Sequence, residues 1–222
     1  MSEIIKDFSL FARDKGVSSL VLNDVIKSTE NSYTPVVLEE RKLNVSTLDI
    51  YSRLLYDRIL YFGHEFNQET CNLAIAQLLY LDSIGEQNIN IYVNSGGGEV
   101  LSGLGLIDTM NLIKSPVSTT CVGMAASMGA VLLSCGEKGK RFVLPHSRVM
   151  IHQVSSGMRG TYSDMKIELE QTERCRNDLY NILATNLGKS FEEIEQLCDR
   201  DNWFIGQEAV DLGIADQLLV KA

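Results

Sequence analysis

Thr119-Thr-Cys-Val-Gly-Met-Ala-Ala-Ser-Met-Gly-Ala-Val-Leu-Leu-Ser-Cys135 starts as a strand and finishes as a helix, with small residues between. The apolar run Val117–Val122 reads as a strand that stops at Gly123. An apolar helical run follows, and Ser127 sits where the turn becomes that helix. A serine in this place lies beside backbone N–H groups that have no intrahelical partner. It suits a nucleophile whose oxyanion develops next to those donors. Gly129, Ala125 and Ala126 leave room for a substrate or a second helix to come close. Tight packing of an Ala/Gly/Ser helix accounts for the same residues without any chemistry.

Working outward, strands and helices alternate. Ile59–Phe62 reads as a strand ending at Gly63, and Gln68–Leu81 as an amphipathic helix burying Leu73, Ala76, Leu78 and Leu79. Ile89–Asn94 alternates apolar and polar residues as a strand does, and runs into Ser95-Gly-Gly-Gly98. A helix from Glu99 to Ile113 follows, with Val100, Leu104 and Ile107 on one face. Beyond the central stretch, Arg141–Leu144 and Arg148–His152 are strands around Pro145. Ser155–Gly160 predicts a loop or an exposed hairpin.

Thr161-x-x-Asp164 is a capping box opening a long helix that Gly188 ends near Leu187. Ser190-x-x-Glu193 opens a short helix through Leu197, and Glu208–Leu212 is a last helical turn before Gly213. Upstream, Asp49–Asp57 has helical spacing and Val36–Leu38 is extended. Residues 1–32 read equally as a short helix, an arm or a processed leader. The pattern is that of an α/β domain with a largely parallel sheet.

Bulk properties exclude several classes. The chain has 222 residues, enough for one domain with a core of its own. Its net charge, 20 − 29 = −9, argues against a general nucleic-acid or anionic-membrane binder. No apolar run approaches the ~20 residues of a membrane span. The N-terminal MSEIIKDFSLFARDKG has no basic segment followed by an apolar core, so no secretory signal is expected there. Five cysteines, with no CxxC pair, read as buried free thiols in a reducing, cytoplasmic setting.

Two glycine motifs imitate nucleotide loops and fail. Counting from Gly96, the sixth position of a dinucleotide fingerprint is Leu101. Gly188-Lys-Ser190 lacks the first P-loop glycine, because position 183 is leucine, and it follows a helix. A strand ending in Gly96-Gly-Gly98 still leaves bare backbone N–H groups pointing outward.

A serine nucleophile needs a base. Of His64, His146 and His152, only His152 ends an apolar strand, where α/β folds place site residues. An orienting carboxylate is also required, and the acidic residues are too many for chemistry alone to select one. Asp199 and Asp201 flank Arg200 just before Trp203.

Four motifs occur in order: Tyr92-Val-Asn-Ser-Gly-Gly-Gly98, Cys121-Val-Gly-Met-Ala-Ala-Ser-Met-Gly-Ala130, Ser147-Arg-Val-Met-Ile-His-Gln153 and Asp199-Arg-Asp201. Together they resemble the proteolytic-subunit family of the ATP-dependent Clp proteases (ClpP), from about Tyr51 to Leu219. The resemblance implies the α/β ClpP/crotonase fold, repeated β-β-α spiral units with a projecting handle helix and strand at about 154–188. The peptidase domain would be 33–222, after an extension of 1–32. It implies Ser127 as nucleophile, His152 as base and then acid, and Asp201 as orienting carboxylate. The backbone N–H groups of Gly98 and Met128 would form the oxyanion hole.

The family also implies two stacked heptameric rings of identical subunits around a closed chamber. An AAA+ unfoldase of the ClpX, ClpA or ClpC type would feed in unfolded polypeptides. ATP is then used by that partner, and this chain needs no cofactor and no metal. Asp199 and Arg200 match inter-ring positions. Tyr92, Leu112, Phe142 and Leu219 match the unfoldase docking cleft. Two departures stand out: Gly96 and Val154 replace prolines common in the family, and Ser155-Ser-Gly-Met158 replaces a glycine-rich handle strand. A crotonase-like acyl-CoA enzyme and a non-catalytic ring subunit are the competing readings; neither needs Ser127, His152 and Asp201 together.

Overall fold

The computed structural model describes residues 36–41, 44–157 and 159–221. The expected extension 1–32 lies outside the described residues. Two units divide at Asp57 and Arg58. In the first, β1 (Val36–Arg41) pairs antiparallel with β2 (Asn44–Asp49), Val36 opposite Asp49. The strand thus runs on through Glu39, Glu40 and Arg41, beyond the expected Val36–Leu38. Helix α1 (Ile50–Tyr56) starts where the Asp49 side chain accepts the N–H groups of Tyr51 and Ser52.

The second unit is a seven-stranded sheet with helices between its strands. Its elements are β3 (Ile59–Phe62), α2 (Gln68–Ser83), β4 (Ile89–Ser95), α3 (Val100–Leu112), β5 (Val117–Ala126) and α4 (Met128–Ser134). Then come β6 (Arg141–Val143), β7 (Arg148–Ile151), α5 (Tyr162–Leu187), α6 (Phe191–Leu197), β8 (Asn202–Ile205), α7 (Gln207–Leu212) and β9 (Gln217–Leu218). The order β3-β4-β5-β6-β9 is parallel throughout. Strand β7 joins parallel to the far half of β5, and β8 pairs antiparallel with β7. Ile89, Val93, Leu106, Cys121, Leu132 and Leu133 are sealed in the core.

Strand β5 does not stop at Gly123. Thr119–Cys121 pair with β6, and Met124–Ala126 pair with β7. Between them Gly123 adopts φ +84°, and the register with β4 shifts between Val93 and Ser95. Two side chains satisfy the backbone at this irregularity. The Gly123 N–H donates to Ser147 Oγ at 3.0 Å, and the Met124 N–H donates to Asn94 Oδ1 at 3.2 Å. Glycine there lets the strand change partner rather than end.

Two helix faces differ from expectation. In α2 the buried residues are Cys71, Ala74, Leu78 and Leu81, while Leu73, Ala76 and Leu79 are exposed. In α3 Gly103, Leu106, Ile107 and Met110 are buried, and Val100 and Leu104 are half-buried. Both helices carry apolar residues on more than one face, so periodicity alone does not set their phase. Helix α5 has its capping box and its left-handed stop at Gly188 (φ +68°). From Tyr162 to Gln171 every residue is exposed, consistent with a handle helix. The handle strand is absent: among the described residues no strand forms between β7 and α5. A strand needs a neighbouring edge for its N–H and C=O groups, and none among the described residues pairs with that segment.

Candidate active site

Ser127 joins β5 to α4 at φ +54° and ψ −121°, a conformation rare for a residue with a side chain. It is held from both sides. Its N–H donates to the Met150 carbonyl on β7 at 2.8 Å. Its own carbonyl accepts from Ala130 at 2.9 Å and Val131 at 3.2 Å. The sharp bend between strand and helix turns the hydroxyl outward, as strained elbows at nucleophiles do.

His152 and Asp201 meet because of strand register. Ile151 on β7 pairs with Asn202 on β8, so the next residues outward, His152 and Asp201, stand opposite each other. His152 Nε2 lies 2.9 Å from Ser127 Oγ, and His152 Nδ1 lies 3.2 Å from Asp201 Oδ1. With its proton on Nδ1 directed at the carboxylate, the imidazole presents an acceptor lone pair to the serine hydroxyl. The imidazole is mostly sheltered, whereas the Asp201 side chain is 64% exposed.

The glycine turn packs against the serine. A Cβ on Gly97 would come within 2.7 Å of Ser127 Cβ, and Gly97 holds φ +97°. Phe66 brackets Gly98: its N–H donates to the Gly97 carbonyl and its carbonyl accepts from Glu99, each at 2.8 Å. That bridge does not use the Gly98 N–H. Met128 is the first residue of α4, so its N–H has no intrahelical acceptor. Gly98, Ser127, Met128 and His152 line one cleft, walled by the apolar side chains of Val100, Val131, Ile151, Leu179 and Leu183.

The small residues near Ser127 serve packing rather than clearance. Ala125 and Ala126 are buried in the sheet, and a Cβ on Gly129 would lie 3.0 Å from the Ser95 carbonyl oxygen.

The remaining expected residues fall in two places. Asp199 and Arg200 are 73% and 88% exposed on the loop carrying Asp201, and stand 3.9 Å apart. Tyr92 and Phe142 lie in one row across the sheet, both in register with Thr120. Leu219 follows β9, its N–H on the Val143 carbonyl, and Leu112 is exposed at the end of α3. Among the described residues, no three His, Cys, Asp or Glu side chains gather to hold a metal, and no helix is long and apolar enough to cross a membrane.

Two polar residues at the site escaped the sequence reading. Buried Ser95 donates to the His64 carbonyl and accepts the Gly97 N–H, shaping the glycine turn. Gln153 reaches from the end of β7 to the loop of Asp201. Their only signal was membership of the ordered motifs.

Residues 41–222 match the family model described as Clp protease. The chain is 48% identical over 217 residues to the ATP-dependent Clp protease proteolytic subunit of Bacteroides fragilis (strain YCH46), covering 97% of this chain and 99% of that one. Its counterpart of the same name from Bacteroides thetaiotaomicron is 47% identical over 217 residues, again 97% and 99%. The one from Porphyromonas gingivalis is 44% identical over 219 residues, 98% and 99%.

Proposed function

The chain belongs to the Clp protease family, and from that premise we propose that it is a serine endopeptidase working through Ser127, His152 and Asp201. The observation that carries the reading is the unbroken relay of 2.9 Å and 3.2 Å from the serine hydroxyl through the imidazole to the carboxylate. Ser127 Oγ attacks the peptide carbonyl carbon as His152 Nε2 takes its proton. The carbonyl oxygen becomes an oxyanion between the N–H groups of Gly98 and Met128. In a water-poor cleft each such donor is worth about 10²–10³ in rate. Collapse of the tetrahedral species breaks the C–N bond, and His152 returns the proton to the leaving amine. Water, deprotonated by the same imidazole, then splits the acyl-enzyme and restores the serine. Asp201 holds the imidazole tautomer and stabilises the imidazolium. The apolar wall of the cleft favours an apolar substrate side chain beside the scissile bond.

The relatives' name ties them to ATP-dependent proteolysis. We propose further, from the family resemblance, that the subunit forms two stacked heptameric rings in the cytoplasm, docked by an AAA+ unfoldase that uses ATP and delivers unfolded chains. Asp199 and Arg200 would meet the opposite ring, and Tyr92, Leu112, Phe142 and Leu219 the unfoldase. An acyl-CoA enzyme of crotonase type has no need of the serine–histidine–aspartate relay.

A fluorophosphonate probe tests the reading. Purified wild type should be labelled at Ser127, and Ser127→Ala should lose labelling and about 10⁴-fold or more of peptide hydrolysis while keeping its fold. A wild type that stays unlabelled and inactive, with or without its unfoldase, would refute it.

A further inference from the structure

Asp201, the carboxylate of the relay, is carried by a surface loop. Helix α6 ends at Leu197 and β8 begins at Asn202, leaving Cys198–Asp201 between them. The Asp199 and Arg200 side chains in that loop are mostly solvent-exposed, and their 3.9 Å ion pair adds little restraint. One end of the loop is secured where Asn202 pairs with Ile151 and its Nδ2 donates to the Leu197 carbonyl at 3.4 Å. The middle is secured from across the site. Gln153, the residue after His152, donates from Nε2 to the Asp199 carbonyl at 2.7 Å.

These contacts close a ring of atoms. It runs from His152 along the backbone to Gln153, through the amide to the Asp199 carbonyl, along the loop to Asp201, and through the carboxylate back to His152 Nδ1. Only the Gln153 link can be cut without touching a reacting group or changing the charge.

We infer that Gln153 is a positioning residue that fastens the loop of Asp201 to the end of β7, so that the carboxylate stays on His152 Nδ1. The role needs a donor, because its target is a carbonyl oxygen. A glutamate of the same shape would turn an oxygen on that carbonyl and bring a second negative charge near Asp201. This inference rests on the serine-peptidase reading.

The experiment compares Gln153→Ala and Gln153→Glu in two backgrounds, wild type and Asp201→Asn, with a small fluorogenic peptide as substrate. Gln153 is exposed, so both variants should fold, and thermal melts and native mass spectrometry should match wild type. In the wild-type background kcat should fall about tenfold or more with KM unchanged, the mark of a displaced catalytic group. In the Asp201→Asn background the same changes should cost less than about twofold, because the carboxylate they serve is gone. Equal losses in both backgrounds would overturn the role. So would a change in KM alone, which would make Gln153 a substrate contact, or a loss of kcat that follows loss of assembly. A wild type that neither hydrolyses peptide nor reacts with the fluorophosphonate refutes the peptidase reading and takes this role with it. An active wild type with additive losses refutes the positioning role alone.

Discussion

Ser127 keeps its positive φ only because Met150, Ala130 and Val131 hold its backbone. The neighbouring glycines show how little tolerance remains. Gly97 has φ +97°, and an added Cβ would meet Ser127 Cβ at 2.7 Å and the Ala126 carbonyl oxygen at 2.8 Å. Neither backbone atoms nor the root of a side chain can move aside cheaply. Gly97→Ala should therefore destabilise by about 1–3 kcal/mol and remove most peptidase activity. Gly96 is different. Its φ is outside the left-handed region, and the nearest atom to an added Cβ is the flexible end of Met124 at 3.6 Å. Gly96→Ala should retain activity and gain up to about 0.4–1 kcal/mol by restricting the unfolded chain. Urea denaturation and peptide hydrolysis on the two variants give the comparison. Equal damage from both would mean the turn acts as one rigid unit rather than through the Gly97–Ser127 contact.

At the scale of elements, legibility followed locality. Capping boxes at Thr161 and Ser190 and the stop at Gly188 were readable because each involves residues a few positions apart. Ser127 was readable as the start of a helix and His152 as the end of a strand, whereas Asp201 needed the ordered motifs to single it out. What could not be read is long-range. The phase of α2 depends on which of its apolar stripes meets α3 and β3. The partner change of β5 depends on Ser147 and Asn94, both distant in sequence. Arg58 is another case: its guanidinium donates to the carbonyls of Leu81, Gly85 and Gln87 and to Ser115 Oγ. Arg141 and Asp216 form the same kind of tie between β6 and the start of β9. Two guanidinium N–H groups reach the carboxylate at 3.0 Å and 2.6 Å, and a third donates to the Asn186 carbonyl on α5 at 2.9 Å. Burial pushes the Asp216 carboxyl up, but the Arg141 hydrogen bonds and charge outweigh it and hold the group below its usual range. A lowered folded-state value means stability fully present above pH ~4 and lost as pH falls through the folded value. Asp216→Asn should cost about 3 kcal/mol at pH 7, because the buried guanidinium loses its counter-charge. Denaturant midpoints of wild type and variant should converge below pH ~4, and a gap that stays constant down to pH 3 would show that the carboxylate's charge is not what matters.

At the scale of the molecule, the exposed surface bears on the proposed rings. Burial pushes the thiols of Cys121 up to about 12 and of Cys198 up to about 11, so a folded chain should resist alkylation at pH 8 at both and yield in denaturant. That measurement reports folding independently of assembly, which the last test requires. Helix α2 turns one apolar stripe to α3 and β3 and leaves Leu73 (61%), Leu79 (48%) and Tyr80 (55%) open to water, with Ile84 (60%) exposed at its C-cap. Covering a large apolar side chain is worth about 1.5–3 kcal/mol, and so wide a patch on one helix is costly to leave wet. In the proposed assembly a neighbouring subunit covers it. Asp201, mostly exposed in the single chain, would be steadied separately, where Asp199 and Arg200 meet the opposite ring. Leu73→Glu with Leu79→Glu should then leave the fold intact, since both side chains lie outside the core of this chain. The same change should break the assembly into smaller species by native mass spectrometry. Peptide hydrolysis should fall with it, while Cys121 and Cys198 stay protected. A full-sized, fully active assembly carrying both glutamates would show that this face of α2 is not where the subunits meet.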